Sequence, residues 1–455
     1  MISIERIAEI VGGKLYGPGK GTISNVVIDS RKAEKGDLFI CFKGERTDGH
    51  LFLDDAFKRG ALAALVENLP PSFPREWNLI QVKSTPKSLF QLSSFWREQF
   101  HPIVVAVTGT VGKTTTKEMI ATILSRSFFV LKSEGNLNTE FGVPLTLLRL
   151  REKHQFLVLE MGLQKPGDIA FLSQLAKPQV GVITQIGPAH LEFLGSEENI
   201  LKEKWRLVES LPSGGIAILN RDNPYLSRAI PPRSCRAAYF SLQGKGDFNG
   251  RILNEDEEQT LFQVEAGEEE FTFNLPFRGK SFLQDFLAAF SIAYLLGVNP
   301  EEISQACASL RLVNGRGTFK VLQSGIFVVD DSYNSNPTSL SASLENFISR
   351  AKGRKIVVLG DMLELGKKAK FWHRKVGLSL PSNLDLVLLF GENSLEIKRG
   401  AQKRGFPPGK LFHFSSLEEL KDFLREKLQK GDWVLVKGSR GMHLEKVVEE
   451  LERIR

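Results

Sequence analysis

One segment carries residues whose types and spacing suit phosphate chemistry. Residues 103–120 read IVVAVTGTVGKTTTKEMI: an apolar run, a glycine-containing turn, then Lys113 and Thr114 at the start of an amphipathic run. The backbone N–H groups of such a turn, with the N-terminus of the helix that follows, bind phosphate oxygens. Lys113 would contact the β- and γ-phosphates, and the Thr114 hydroxyl would coordinate Mg²⁺. The nucleotide-binding residues predicted in this loop are Gly109, Thr110, Gly112, Lys113, Thr114 and Thr115.

The loop departs from the consensus G-x-x-x-x-G-K-[ST] at one position. The consensus requires a glycine where this chain has Val107. The alternative interpretation is a glycine-containing turn that binds no phosphate. The order of strand, turn, Lys-Thr and helix favours a phosphate loop.

Two residues that follow later apolar runs are candidate Mg²⁺ ligands. Glu160 ends the run FLVLE, and His190 lies in the turn QIGPAHLE after the run VGVIT. Both would lie at the carboxyl ends of parallel strands, where ligands bind in such sheets. The alternatives are structural: a capping role for Glu160 and a packed histidine at position 190.

One lysine falls on the apolar face of a predicted helix. Ser196 is a suitable N-cap, and Lys204 shares a face with Ile200, Leu207 and Val208 by i, i+3, i+4 spacing. A buried ammonium is costly and tends to lose its proton. The neutral amine can react with CO₂ to give a carbamate, an anion able to bind a second Mg²⁺. The alternative is a lysine that extends along the edge of the apolar face to reach water.

The elements that must position these residues indicate an α/β chain of three domains. Residues 1–98 combine short helices with short strand signals and form the first, small domain. Residues 99–313 alternate apolar strands with helices, which predicts a parallel sheet covered on both faces, with an antiparallel hairpin at 251–275. Residues 314–455 repeat this alternation and predict a Rossmann-like domain with a doubly wound sheet.

Composition and charge exclude several classes of protein. Of 455 residues, 42% are hydrophobic and 25% charged, which is typical of a globular chain of roughly three domains. No apolar run approaches the about 20 residues that span a bilayer, so no integral membrane segment is expected. The 60 basic and 53 acidic residues are interleaved, unlike the basic stripe of a nucleic-acid-binding protein. Charges near the N-terminus and three scattered cysteines favour the cytoplasm.

Several motifs, in order along the chain, resemble those of a known family. They are VIDSRKAEKGDLFICFKGERTDGHLF, TGTVGKTTTK, GNLNTEFGVPLTLL, VLEMG, IGPAHLEFLGS, KEK, DDSYNSNPTSL and VLGDMLELG. Together they resemble the Mur ligases, ATP-dependent amide-forming enzymes of peptidoglycan synthesis. The resemblance covers essentially the whole chain. It implies a first domain that binds the UDP end of a substrate, a central ATPase domain, and a C-terminal domain that closes over the nucleotide.

The resemblance also implies a reaction. We expect a monomeric enzyme that uses ATP and a pair of Mg²⁺ ions to add D-alanyl-D-alanine to a UDP-N-acetylmuramoyl-tripeptide through an acyl phosphate. DDSYNSNP and GDMLELG argue against the two related activities, addition of the third amino acid and folylpolyglutamate synthesis. A nucleotide-binding regulator with a phosphate loop is the non-enzyme alternative.

The same resemblance assigns roles to individual residues. The residues expected to act in catalysis are Lys113, Asn138, His190 and Lys204, with Lys204 carbamylated and His190 also a candidate base for the attacking amine. Those expected to hold metal are Thr114, Glu160, His190 and Lys204. Those expected to reach ATP from the C-terminal domain are Arg316, Asp331, Tyr333 and Asn334. Those expected to contact the substrate are Ser30, Arg31, Asn136 and Asn138.

The chain departs from the family pattern in two places. The family usually has a GxHNxxxN-like segment, where this chain reads RGKSFLQDFLAA, with Ser281 and Asp285 near the expected His and Asn. The Gly-Glu pair that usually follows the reactive lysine is replaced by Trp205 and Arg206.

Overall fold

The computed structural model describes residues 2–44, 47–256 and 258–454. Within these ranges the strands form three large sheets and a two-stranded sheet. Each large sheet takes its strands from one of the three segments predicted above, and the fold class is α/β as expected. The exact boundaries, 98/99 and 313/314, stay predictions.

The N-terminal sheet has the strand order β2-β7-β6-β5-β4, in which only β2 runs antiparallel to its neighbour. The elements of this segment are β1 Ile2–Ser3, α1 Ile4–Val11, β2 Lys14–Tyr16, β3 Thr22–Ile23, β4 Val26–Val27, β5 Leu38–Ile40, α2 Leu53–Lys58, β6 Ala63–Val66, β7 Asn78–Gln81 and α3 Thr85–Glu98. The Ser3 hydroxyl caps α1, and Gly12 ends it in a left-handed conformation that favours glycine.

The central sheet has the strand order β16-β15-β14-β13-β12-β11-β8-β10-β9. The elements are β8 Ile103–Thr108, α4 Lys113–Leu124, β9 Val130–Lys132, α5 Gly142–Leu147, β10 Phe156–Glu160, α6 Asp168–Ala176, β11 Val180–Ile183, α7 Leu191–Leu194, α8 Glu197–Glu209, β12 Ile216–Asn220, β13 Arg236–Ser241, β14 Phe248–Glu255, β15 Thr260–Ala266, β16 Glu269–Leu275, α9 Lys280–Leu295 and α10 Pro300–Cys307. From β9 across the sheet to β14, including β8, all neighbouring strands pair in parallel. Strand β15 pairs antiparallel with both β14 and β16. The predicted hairpin is therefore confirmed, and with β14 it lengthens the central sheet.

An aromatic cluster fixes helix α9 on this sheet. Phe286 and Phe290 of α9 pack against Phe262 and Phe273 of the hairpin, and all four side chains are buried. Aromatic pairs of this kind add stabilisation beyond their buried area. The same helix lies against α4, so its first turns are held beside the phosphate loop.

The C-terminal sheet has the strand order β17-β18-β22-β19-β20-β21, in which only β17 is antiparallel. The elements are β17 Thr318–Val321, β18 Phe327–Asp331, α11 Pro337–Arg350, β19 Lys355–Gly360, α12 Ala369–Ser379, β20 Leu386–Phe390, α13 Ser394–Lys403, β21 Leu411–Phe414, α14 Leu417–Lys427, β22 Trp433–Lys437 and α15 Glu445–Leu451. In the parallel pair β18–β22, Asp331 stands opposite Lys437.

The central and C-terminal segments touch along one face. Asn346 of α11 donates to the Ser281 hydroxyl at 3.2 Å, and a Cβ added at Gly187 would lie 2.4 Å from the Thr338 hydroxyl. The backbone N–H of Glu192 donates to the carbonyl of Glu364 at 3.1 Å. In the described part of the chain, no helix is both long and apolar enough to cross a membrane.

Candidate active site

The phosphate loop is the turn between β8 and α4, and two of its glycines lie against other side chains. A Cβ at Gly109 would stand 1.9 Å from the Thr184 hydroxyl, and one at Gly112 would stand 2.3 Å from the Asp285 carboxyl. Gly112 also has a φ of +88°, which favours glycine. The Lys113 ammonium donates to the Gly109 carbonyl at 2.9 Å, so its side chain folds back over the loop.

Glu160 connects the loop to the segment after β9. One carboxylate oxygen accepts the Thr114 hydroxyl at 2.9 Å, and the other accepts the Asn138 amide at 2.8 Å. Glu160 is only 1% exposed, so both bonds form away from water. The structure thus brings together a hydroxyl, a carboxylate and an amide that the sequence predicted separately.

This arrangement has the oxygen chemistry that Mg²⁺ requires. Magnesium is usually held by one or two carboxylates together with water and substrate phosphates rather than by an all-protein cage. The Glu160 carboxylate and the Thr114 hydroxyl fit that description. Over residues 2–44, 47–256 and 258–454, no three His, Cys, Asp or Glu side chains gather into a ready-made metal site.

Lys204 on α8 lies beneath the loop, as its place on the apolar face predicted. It is 1% exposed, and its ammonium has one weak polar contact, the Thr108 hydroxyl at 3.5 Å. Burial, reinforced by the nearby positive charge of Lys113, lowers the pKa of Lys204 well below its usual value. Lys204 is therefore buried and does not extend along the edge of the apolar face to reach water.

His190 faces a carboxylate that the sequence did not single out. Its Nδ1 atom lies 2.6 Å from Oε2 of Glu364, a residue of the C-terminal segment. Burial lowers the pKa of His190, and the Glu364 contact works in the opposite direction. Glu364 lies in the loop after β19, within the motif VLGDMLELG, and that motif was the only signal that could have pointed to it.

The C-terminal segment contributes a cluster of paired polar groups. The Lys437 ammonium lies 2.6 Å from an Asp331 carboxylate oxygen and donates to the Asn334 carbonyl at 3.0 Å, and the Ser343 hydroxyl also donates to Asp331. The Arg316 guanidinium stands 4.2 Å from the centre of the Tyr333 ring, which is a cation–π distance.

These groups surround one cavity of about 690 Å³ between the central and C-terminal segments. The predicted site residues that line it are Thr110, Gly112, Lys113, Thr114, Thr115, Asn136, Asn138, Glu160, His190, Arg316, Asp331, Tyr333 and Asn334. Gly109 and Lys204 lie behind its wall. Ser30 and Arg31 belong to a 3₁₀ turn of the N-terminal segment, where Arg31 is exposed and pairs with Asp29 at 2.8 Å.

Family models match each of the three segments. The Mur ligase family catalytic domain matches residues 22–97, the Mur ligase middle domain matches 107–293, and the Mur ligase glutamate ligase domain matches 315–440. The chain belongs to the Mur ligase family. The Mur ligase resemblance drawn from the sequence motifs is thereby confirmed.

Full-length relatives narrow the similarity within the Mur ligases. The UDP-N-acetylmuramoyl-tripeptide--D-alanyl-D-alanine ligase of Bacillus subtilis is 35% identical, with 99% of this chain and 98% of the relative covered. A crystal structure of MurF from Acinetobacter baumannii superposes with a TM-score of 0.87 at 31% identity, covering 99% and 98% of the two chains. MurF from Thermotoga maritima in complex with ADP gives a TM-score of 0.82 at 33% identity, covering 94% and 97%.

Proposed function

We propose that this chain is an ATP-dependent ligase that adds D-alanyl-D-alanine to a UDP-N-acetylmuramoyl-tripeptide in peptidoglycan synthesis. The observation that carries the proposal is the full-length similarity, at 35% identity, to a ligase of that name. The cavity supports it, because a phosphate loop and polar groups from a second domain line the same space. A carboxylate is a poor electrophile, and its conversion to an acyl phosphate by ATP lets the dipeptide amine attack.

Lys113 and the loop amides would bind and neutralise the transferred phosphoryl group. Phosphoryl transfer needs positioning and charge stabilisation more than covalent catalysis. From the opposite wall, Arg316 would supply a second positive charge, and the side chains of Asp331, Tyr333 and Asn334 would supply polar contacts for the nucleotide. The proposed nucleotide site would therefore take its residues from two domains.

Thr114 and Glu160 would hold Mg²⁺, with His190 as a further ligand. When bound, the ion supplies positive charge that stabilises the phosphates during transfer. Asn138 holds the Glu160 carboxylate in place, and Asn136, which lines the same wall, would contact the tripeptide. His190 remains a candidate to accept the proton that the attacking amine must lose.

Lys204 would act as a carbamate. Its neutral amine can attack CO₂, forming an N–C bond and releasing one proton, and the product is an anion. Burial makes the neutral amine available, and the single 3.5 Å contact leaves its lone pair uncommitted. We propose that this anion would hold a second Mg²⁺.

Ser30 and Arg31 would bind the uridine nucleotide of the substrate. They lie in the N-terminal segment, outside the cavity that holds the phosphate loop. A substrate that reaches from one to the other would span two domains, as an elongated UDP-sugar peptide can. We further propose a cytoplasmic enzyme that acts as a monomer.

One assay tests the proposal. Phosphate release from ATP should require both the UDP-tripeptide and D-alanyl-D-alanine, and the product should be the pentapeptide. Release that needs a free amino acid in place of the dipeptide would favour the ligase of the preceding step, and release with folate and glutamate would favour a folylpolyglutamate synthase. Nucleotide binding without any substrate-dependent turnover would favour a regulator.

A further inference from the structure

Asp285 is an acidic side chain placed directly against the phosphate loop. It lies in the second turn of α9, lines the cavity, and is only 7% exposed. Its Oδ1 atom is so close to the loop that a Cβ on Gly112 would stand 2.3 Å away. An anionic group at this point is unexpected, because the loop exists to hold phosphates.

The partners of Asp285 do not neutralise a negative charge. Its Oδ1 atom accepts the Thr116 hydroxyl of α4 at 3.0 Å. In the described chain no Lys or Arg lies within ion-pair distance of it; the positive charge that acts on it is Arg316, from the segment that leads into β17. Lys113, at the start of α4, also lines the cavity, and its ammonium is directed to the Gly109 carbonyl. The other basic side chains that line the cavity are Arg278, Arg350, Lys437 and Arg440.

The surroundings of Asp285 shift its carboxyl toward protonation. Burial raises the pKa of Asp285 well above its usual value, and the Thr116 hydrogen bond and Arg316 oppose that rise only in part. A polyphosphate in the loop would add negative charge beside the carboxyl. It would also interact with Arg316 and so weaken the stabilisation that Arg316 gives to the Asp285 carboxylate. Both effects disfavour the carboxylate further once a nucleotide is bound.

We propose that Asp285 takes up a proton from solvent when a nucleotide binds, so that a neutral carboxylic acid lies under the phosphates. This inference rests on the nucleotide-binding part of the proposed function. The only bond formed is the carboxyl O–H bond, and the proton returns to solvent when the nucleotide leaves. The acid places a hydrogen-bond donor where a carboxylate would repel the ligand.

The structure supplies a matched substitution. Asp285→Asn keeps the shape of the acid form, keeps an oxygen that can accept from Thr116, and cannot ionise. A suitable control is Glu118→Gln, because Glu118 also lines the cavity. Although burial acts the other way, contacts with Lys132 and Lys117 hold the pKa of Glu118 below its usual value, so Glu118 stays ionised.

Calorimetric titration of the purified protein with Mg²⁺–ADP, in buffers that differ in ionisation enthalpy, measures the protons exchanged on binding. The wild type and Glu118→Gln should both take up more protons than Asp285→Asn, by up to one. The difference between variants removes the contribution of the nucleotide itself. Where the pH lies above the pKa of Asp285 in the free protein and below its pKa in the complex, the wild-type Kd should weaken by up to about tenfold per pH unit, and that of Asp285→Asn should not.

The contrary outcomes are distinct. Equal proton uptake by the wild type and Asp285→Asn would overturn the inference and leave the proposed function standing. So would an unchanged difference in Kd between the two proteins across pH. A wild type that binds no Mg²⁺–ADP at any pH would overturn both the nucleotide site and this inference.

Discussion

A buried lysine lies on each side of the cavity, and the two lysines differ in the polar partners of their ammonium groups. On the C-terminal wall, Lys437 is 2% exposed and is held by the Asp331 carboxylate at 2.6 Å and the Asn334 carbonyl at 3.0 Å. Behind the central wall, Lys204 is 1% exposed and has one hydroxyl at 3.5 Å. Burial lowers the pKa of both, but only Lys437 has an anion in contact that works against it.

The difference separates a structural cation from a reactive amine. Desolvation of a charge is repaid only when a partner of good geometry is present, as at Lys437. A buried amine without such a partner is driven to its neutral form and is then a nucleophile. The variants below test this comparison.

The largest effect, on kcat, should come from a change at Lys113, which lines the cavity that lies between Lys204 and Lys437. Lys113→Ala removes the side-chain charge at the phosphate loop while leaving the loop amides and the fold intact. We expect kcat for ligation to fall by about a thousandfold, the upper range for loss of one group that stabilises a transition state. Steady-state phosphate release, with circular dichroism as the control for folding, checks it. Near-normal ligation would mean that the loop is not the phosphoryl site.

Lys437→Met should lower the free energy of unfolding. It leaves Asp331 without its cation, and breaking a buried ion pair costs about 3 kcal/mol. Lys204→Met is the matched control, because it removes an unpaired buried amine and should leave the stability equal or higher. Urea denaturation of both variants makes the comparison. Equal destabilisation by the two changes would show that the lysines do not differ as argued.

Lys204→Ala should lose activity by about a hundredfold and regain part of it with added short carboxylic acids. The loss follows from the missing anion, since one group that helps stabilise charge in a transition state contributes about 3 kcal/mol. A small acid diffusing into the vacated space can replace the carbamate. Activity measured against acid concentration checks this, with Lys113→Ala as an inactive variant that added acid should not rescue. Full activity without any added acid would rule the carbamate out.

The smallest effect on kcat should come from a change at the contact between His190 and Glu364, which joins the two walls of the cavity. Glu364→Gln keeps the size of the side chain but removes the charge beside His190 Nδ1. We expect a fall in kcat of about tenfold, the lower end of the range for groups that act through a metal ligand. A KM for ATP within about twofold of the wild type would separate this effect from lost binding. A change in KM alone would show that Glu364 acts on the nucleotide instead.

The features that the sequence predicted are those set by residues close together in the chain. The strand, turn and helix around Lys113 are contiguous. Helical spacing placed Lys204 on the apolar face of its helix but left open whether its ammonium is buried or reaches water at the edge of that face. The pairing of Asp331 with Lys437 was not predictable, because the two residues are brought together only when β18 and β22 become neighbours. Glu364 was missed for the same reason, since its contact with His190 depends on how two domains meet.

One isotope measurement tests the central claim most directly. The UDP-tripeptide would carry ¹⁸O in its terminal carboxylate, and the inorganic phosphate released during ligation to D-alanyl-D-alanine would be examined by mass spectrometry. An acyl-phosphate route transfers one carboxylate oxygen to phosphate, so the account predicts that each released phosphate carries one label. Unlabelled phosphate formed together with the pentapeptide would contradict it.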